Sequence, residues 1–356
     1  MRLLLLSGGS GKRLWPMSND IRSKQFLKVL KNDDGELESM LQRVCRQISS
    51  AGLLDSAIIT AAHNQEDLIK NQLGADKVPV LLEPQRRDTF PAIALACTYL
   101  YSKAGLDLNE VVCVMPVDPY VEEEFFYRIK ELENILHQSK ANLVLMGVTP
   151  TFPATQYGYI IPDQQARTER KDAYMRVNRF IEKPNEEQAK ILIGNNALWN
   201  CGIFAFKLGY LISILEAQGL TTDYDEFVLQ YEQLPKNSFD YEVVEHEKQI
   251  VAVPYDGQWK DLGNWDTLTE HLSSNVLGNG IISEDSVNTH LINNLNLPVT
   301  IIGLSNIVAV LSPDGVLIAD KTASPRIKQY LNEAKHKPVY EETTKERHEG
   351  SDDPES

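Results

Sequence analysis

The chain has little cysteine, and what it has is scattered: Cys45, Cys97, Cys113 and Cys201 form no Cys-x-x-Cys pair. Their spacing suggests neither a zinc site nor a disulfide framework, and a reducing, cytoplasmic setting fits it. Long hydrophobic runs are also missing. The N-terminal leucine run, Leu3–Leu6, is broken at once by Ser7, Gly8 and Gly9, which leaves it too short for a membrane span or the core of a signal peptide. Positive charge is scarce as well, with 35 Lys plus Arg against 50 Asp plus Glu and a formal net charge of -15. That balance argues against nucleic acid or an anionic membrane as a partner. It does not bar small phosphate ligands, because screening over roughly 8 Å removes most remote repulsion. A lysine about 4 Å from a phosphate still gains up to about 4 kcal/mol at an effective dielectric of about 20.

What remains is an ordinary globular composition, 42% hydrophobic and 24% charged over 356 residues. That is enough for one large domain with a substantial core and a smaller second unit. Short β-rich segments at Leu3–Leu6, Ala57–Thr60, Val78–Leu82, Val111–Met115 and Leu143–Val148 alternate with stretches of helical periodicity such as Ser39–Ser49 and Pro91–Ala104. This predicts an α/β fold with a mostly parallel sheet covered on both faces. Beyond Thr149 the strands and helices become mixed, and Gly278–Ala319 is a series of short β-type runs punctuated by Gly, Asn and Pro-Asp-Gly. A closing helix is expected over Arg326–Ala334, and the acid-rich stretch from Tyr340 to Ser356 reads as disordered.

The chemistry starts at Leu3-Leu4-Leu5-Leu6-Ser7-Gly8-Gly9-Ser10-Gly11-Lys12-Arg13-Leu14-Trp15-Pro16, a buried strand that runs into a glycine-rich turn with two cations. Closely spaced glycines let backbone N–H groups reach phosphate oxygens, and Lys12 and Arg13 add charge. A P-loop fails here, since Leu6 stands at its first glycine and Arg13 follows the lysine. A dinucleotide fingerprint fails at Leu14, which disfavours a dehydrogenase.

With the following Lys24-Gln25-Phe26-Leu27, this segment resembles the signature of the sugar nucleotide pyrophosphorylases, a family of sugar-phosphate nucleotidyltransferases, and specifically their GDP-mannose branch. The resemblance continues through Glu83-Pro84-Gln85-Arg86-Arg87-Asp88-Thr89-Phe90-Pro91-Ala92, Pro116-Val117-Asp118 and Trp259-Lys260-Asp261-Leu262-Gly263. Further elements are Tyr157-Gly158-Tyr159, Phe180-Ile181-Glu182-Lys183-Pro184, Trp199-Asn200-Cys201-Gly202 and Ser238-Phe239-Asp240-Tyr241, so that it spans residues 1 to 335. Ser23, Asp88 and Pro119 stand where the family usually has proline, asparagine and histidine.

The resemblance implies a Rossmann-like, GT-A-like fold with a mixed, mostly parallel sheet over 1–273, a small left-handed β-helix-like extension with a closing helix over 274–335, and an acidic tail over 336–356. It implies transfer of GMP from GTP to mannose 1-phosphate, with Mg²⁺ held by Asp118 and Asp261. Arg13, Lys24, Asp118 and Asp261 are the expected catalytic set, with Arg13 toward the leaving pyrophosphate and Lys24 near the transferring phosphorus. Ser7, Gly8, Gly9, Ser10, Gly11, Lys12, Glu83, Arg87, Asp88 and Thr89 are expected at the nucleotide. Tyr157, Gly158, Glu182, Lys183, Asn200 and Asp240 are expected at the sugar phosphate, and the extension is expected to support a homodimer. Two well-separated carboxylates suit a hard, oxygen-seeking ion whose shell phosphates and water complete. Another sugar 1-phosphate, such as a heptose or glucose, another nucleotide, and a non-catalytic sugar-nucleotide sensor remain open on these residues. No further domain is expected after residue 335.

Overall fold

The computed structural model describes residues 1–9, 12–74, 77–163 and 173–334, with 332–334 as backbone alone. Ser10, Gly11 and the expected acidic tail lie outside the described residues. The central element is β1 (Arg2–Ser7), whose leucines are shared between two cores: Leu3 and Leu5 face one side and Leu4 the other. A continuous apolar run of this kind is what a strand covered on both faces requires.

Around β1 the described residues form a nine-stranded sheet. In chain order its other members are β2 (Ala57–Ala62), β3 (Val80–Glu83), β4 (Val111–Pro116) and β5 (Leu143–Val148), then β6 (Tyr159–Pro162), β7 (Met175–Ile181), β8 (Leu198–Lys207) and β9 (Ile250–Tyr255). The spatial order is β3-β2-β1-β4-β8-β5-β9-β7-β6. The sheet is mixed and mostly parallel, with only β7 and β8 running against the other seven strands. Pairing is parallel from β3 to β4, but β8 runs antiparallel between β4 and β5, and β6 and β7 are antiparallel to their neighbours. Buried apolar strands read alike in either direction, so the sheet is mixed without any trace of it in the periodicity.

Helices cover both faces. Met40–Ser50 opens on a reciprocal cap between Ser39 and Gln42, and Glu124–Ser139 places Phe125, Phe126, Ile129 and Leu132 in the first core. Thr89–Thr98 is buried almost throughout in the second. Each large apolar side chain removed from water contributes roughly 2 kcal/mol, which makes these two layers the main source of stability. All four cysteines are free and buried. No helix among the described residues is long and apolar enough to cross a membrane.

A third apolar cluster joins the segment after the glycine loop to the C-terminal strands: Leu14, Leu27 and Val29 pack with Leu262, Trp265, Ile292, Val308 and Val310. Those strands pair in parallel, His290–Asn293 with Val276–Leu277 and with Ile307–Ser312, and Gly280–Ile282 with Val299–Ile301. Gly315–Asp320 closes the set antiparallel to Ile307–Ser312.

Because β1, β3 and β4 run in one direction, the segments that follow them emerge at one sheet edge. The start of antiparallel β8 reaches the same edge. Ligands of open α/β sheets bind at such a carboxyl edge.

Candidate active site

Two cavities open side by side at this edge. The larger, about 460 Å³, is lined by Gly8 and Gly9 after β1, Glu83 at the end of β3, Arg86 to Thr89, Pro116 at the end of β4 and Asp118 just beyond it. The smaller, about 170 Å³, is lined by Lys24, Asp118, Tyr157, Asn200, Trp259 and Asp261, again with Pro116. Asp118 therefore borders both.

The two expected metal carboxylates are brought together by a short ribbon. Pro119–Val121 pairs antiparallel with Trp259–Asp261, and Asp261 stands opposite Pro119, so Asp118 and Asp261 flank one end of the pairing. Between them lies Lys24, whose Nζ is 2.7 Å from Asp118 Oδ2 and 2.5 Å from Asp261 Oδ1. Burial works against the charge on Lys24, but the two carboxylates more than offset it, and the ammonium's pKa is raised. Two oxygen-rich, partly exposed carboxylates converging on one cation are a donor set that suits a divalent, oxygen-seeking ion. Among the described residues no group of three or more His, Cys, Asp or Glu is arranged to hold a metal ion, so any ion here relies on these two carboxylates and on its ligands.

The loop after β1 is propped from beneath. Ser7 is fully buried, and its carbonyl and hydroxyl accept from Gln25 Nε2 at 3.2 Å. The Gln65 amide donates to the Ser7 carbonyl at 2.9 Å and accepts from the Ser23 hydroxyl and from Arg86, each at 2.8 Å. Ser23, in the usual proline position, thus supplies a buried hydroxyl that ties the Lys24 segment to the loop. Gly9 has φ +118°, a backbone conformation that favours glycine. Lys12 pairs with Asp20 at 3.5 Å, while Arg13 is exposed and has no carboxylate within ion-pair distance among the described residues.

Around the larger cavity, burial pushes the Glu83 carboxyl up to about 7, against the pull of Tyr231 and Arg86. The Tyr231 hydroxyl donates to Glu83 at 2.8 Å. Asp88 does not pair with Arg87. It takes φ +71° and caps the helix Thr89–Thr98 by accepting from the Thr89 N–H at 2.8 Å. Arg87 instead donates to the Leu234 carbonyl at 2.6 Å. Thr89 accepts from the Phe239 N–H at 2.8 Å, which fastens the Arg86 to Thr89 segment to the one carrying Asp240.

On the other side, Asn200 donates to Asp240 at 2.7 Å and its backbone N–H bonds Gly158 at 2.8 Å. Burial first, and Glu182 second, raise the Asp240 carboxyl. Lys183 pairs with Glu182, whose second oxygen is buried with no hydrogen-bond partner among the described residues. Gly158 is required here: a Cβ would overlap Glu182 Oε2 and come within 2.6 Å of the Phe180 ring. Tyr157 stands edge-on to Trp199 and Trp259, each 5.2 Å away, and burial followed by Asp261 pushes its hydroxyl up to about 12.

Lys24, Asp118, Asp261, Tyr157 and Asn200 thus share one cavity, and Gly8, Gly9, Glu83, Arg87, Asp88, Thr89 and Asp118 the other. Asp240 is tied to Asn200 by a hydrogen bond, and Glu182 and Lys183 act electrostatically on Asp240. Sequence reasoning missed Arg86, Gln25, Gln65, Tyr231, Trp199 and Trp259 as parts of the site. Arg86, Gln25, Trp199 and Trp259 lie within the quoted motifs and could have been taken from them. Gln65 and Tyr231 carry no local signal.

A glycine loop, paired carboxylates and an ammonium at the junction of two cavities are the kind of site that handles two phosphate-bearing ligands side by side. The family described as "Nucleotidyl transferase" matches residues 2–275, and the chain belongs to it. It is 32% identical to the alginate biosynthesis protein AlgA of Pseudomonas putida over 92% of this chain and 70% of that one. It is 29% identical to the mannose-1-phosphate guanylyltransferase of Escherichia coli, over 93% of this chain and 73% of the relative. A crystal structure described as mannose-1-phosphate geranyltransferase from Thermus thermophilus superposes with a TM-score of 0.76 at 26% identity, covering 94% of this chain and 99% of that chain.

Proposed function

We propose that the protein transfers GMP from GTP to mannose 1-phosphate, giving GDP-mannose and pyrophosphate. The observation that carries this reading is Lys24 held between Asp118 and Asp261 where the two cavities meet, in a chain of the nucleotidyl transferase family. The name of the Escherichia coli relative supports the substrate pair.

A phosphate oxygen of the sugar phosphate attacks the α-phosphorus of GTP, a new P–O bond forms, and the bond to the β-phosphate oxygen breaks. The attacking phosphate is ionised at neutral pH, so neither a general base nor a protein nucleophile is assigned. Catalysis rests on holding two polyanions in line and on charge stabilisation by Lys24 and Arg13, with Lys183 directed to the sugar phosphate. Glu83, the Gly8-Gly9 turn, Lys12, Arg87, Asp88 and Thr89 are assigned to the nucleotide, with Ser7 supporting the loop. Tyr157, Gly158, Glu182, Asn200 and Asp240 are assigned to the sugar. Asp118 and Asp261 would hold Mg²⁺, which when bound supplies positive charge to phosphate oxygens.

The same reading takes 1–273 as the transferase domain and 274–335 as a left-handed β-helix-like extension with its closing helix, in a cytoplasmic enzyme. Exposed Ile281, Ile302 and Ile318 on the extension support a homodimer through the extension, and sedimentation as a monomer would remove that part.

The test is pyrophosphate release across GTP, UTP, dTTP, CTP and ATP against mannose, glucose, N-acetylglucosamine and heptose 1-phosphates, with and without Mg²⁺. A magnesium-dependent signal confined to GTP and mannose 1-phosphate is expected. Signal from another pair changes the substrates, and silence from folded protein rejects the enzyme reading.

A further inference from the structure

The C-terminal strands and helix are seated directly on the segment that follows the glycine loop. Ser312 Oγ donates to the Pro16 carbonyl at 2.7 Å, Trp265 Nε1 donates to the Trp15 carbonyl at 2.9 Å, and Asn19 Nδ2 donates to Asp314 at 2.9 Å. Gly315 lies so close to the Trp15 ring that a Cβ there would come within 2.6 Å of it. The last described helix, Ile327–Ala334, packs against the turn Lys12–Leu14, with Ile327 buried.

That packing brings a third cation to the turn. Lys328 follows the buried Ile327, and partial burial first, then Arg13 and Lys12, lower its ammonium's pKa. Lys12 has Asp20 at 3.5 Å, but among the described residues neither Arg13 nor Lys328 has a carboxylate within ion-pair distance. In a chain with 50 acidic and 35 basic residues, three cations at one turn, of which Lys12 alone has a carboxylate partner among the described residues, form a site for an anion that those residues do not supply. The turn Lys12–Leu14 follows the glycine loop whose Gly8 and Gly9 line the larger cavity, so an anion held at this turn meets the site from the glycine-loop side.

We propose that Lys328 is a binding residue for the terminal phosphates of the nucleoside triphosphate and for the pyrophosphate formed from them, so that the C-terminal helix completes the phosphate site. This rests on the nucleotidyl-transfer reading for the identity of the triphosphate, while the anion site itself stands on the cation cluster.

The test is calorimetric titration of the full chain with inorganic pyrophosphate and, separately, with GTP at fixed magnesium. Wild type, Lys328→Met, Lys328→Arg and the remote surface control Lys248→Met are compared, with melting curves to verify folding. Loss of one charge-assisted contact is expected to weaken pyrophosphate and GTP about fivefold to tenfold in Lys328→Met. Lys328→Arg should restore binding, and Lys248→Met should leave it unchanged. Wild-type pyrophosphate affinity in Lys328→Met, equal weakening in Lys248→Met, or no pyrophosphate binding by wild type overturns the proposal. Pyrophosphate binding that depends on Lys328 while GTP does not bind upholds the anion site and rejects only the nucleotide reading.

Discussion

Lys24 Nζ stands 2.5 Å from Asp261 Oδ1 across 237 positions of sequence, with Asp118 completing the contact from its other side. This ties the segment after the glycine loop to the carboxylates that border both cavities. Replacing Lys24 by Met is expected to lower kcat by about a hundredfold or more, the usual scale for losing one pre-positioned stabiliser of transition-state charge. Steady-state pyrophosphate release, with circular dichroism to verify folding, measures it. A rate within a fewfold of wild type would remove Lys24 from the reaction.

Asp118→Asn and Asp261→Asn each remove one anionic oxygen donor from the proposed ion site. The magnesium concentration for half-maximal rate is expected to rise on the order of tenfold or more in each, because hard divalent ions depend on ligand charge. Titrating the rate with Mg²⁺ at saturating substrates tests this. An unchanged midpoint in both variants would place the ion elsewhere.

Glu83 couples pH to stability. Its carboxyl, raised by burial to about 7, keeps a proton in the folded state that the unfolded chain releases at ordinary carboxyl pH. Between those values the folded state binds more protons, so this group's contribution is full at low pH and falls as pH rises through about 7. From about pH 5 to about pH 8, wild type should lose more unfolding free energy than Glu83→Gln, by on the order of 2–3 kcal/mol. Urea melts at the two pH values decide it, and parallel losses in both proteins would contradict the assignment.

Much of this site was legible in the sequence because its parts are local. The leucine run into Gly8-Gly9, the carboxylate just past Met115 and the Lys24 segment each have a chemical reason to be where they are. What could not be read came from contacts between distant segments. The Tyr231 hydroxyl that partners Glu83 belongs to a stretch with no motif, and Gln65, which joins Ser7, Ser23 and Arg86, sits in a short turn. The direction of β8 was hidden for a different reason, since a strand buried on both faces has no sequence polarity. Asp88 illustrates a departure that only geometry could interpret. Its side chain turns back to cap its own helix, so loss of the family's amide leaves the local structure satisfied.

Gly158→Ala is expected to act on one substrate more than the other. The added methyl would meet Glu182 and Phe180, and relieving that overlap typically costs about 1–3 kcal/mol. The KM for mannose 1-phosphate should rise severalfold while that for GTP stays near wild type. Equal changes in both would show that the methyl disturbs the fold as a whole rather than the sugar side.

Direct transfer at the Lys24, Asp118 and Asp261 junction is tested most closely by stereochemistry. The enzyme is given one diastereomer of GTP carrying sulfur on the α-phosphorus, together with mannose 1-phosphate, and the configuration of the thio-GDP-mannose is determined by phosphorus NMR. A single in-line displacement gives inversion at that phosphorus. Retention would mean two displacements through a covalent guanylyl-protein, and would contradict a site that works without a nucleophile of its own.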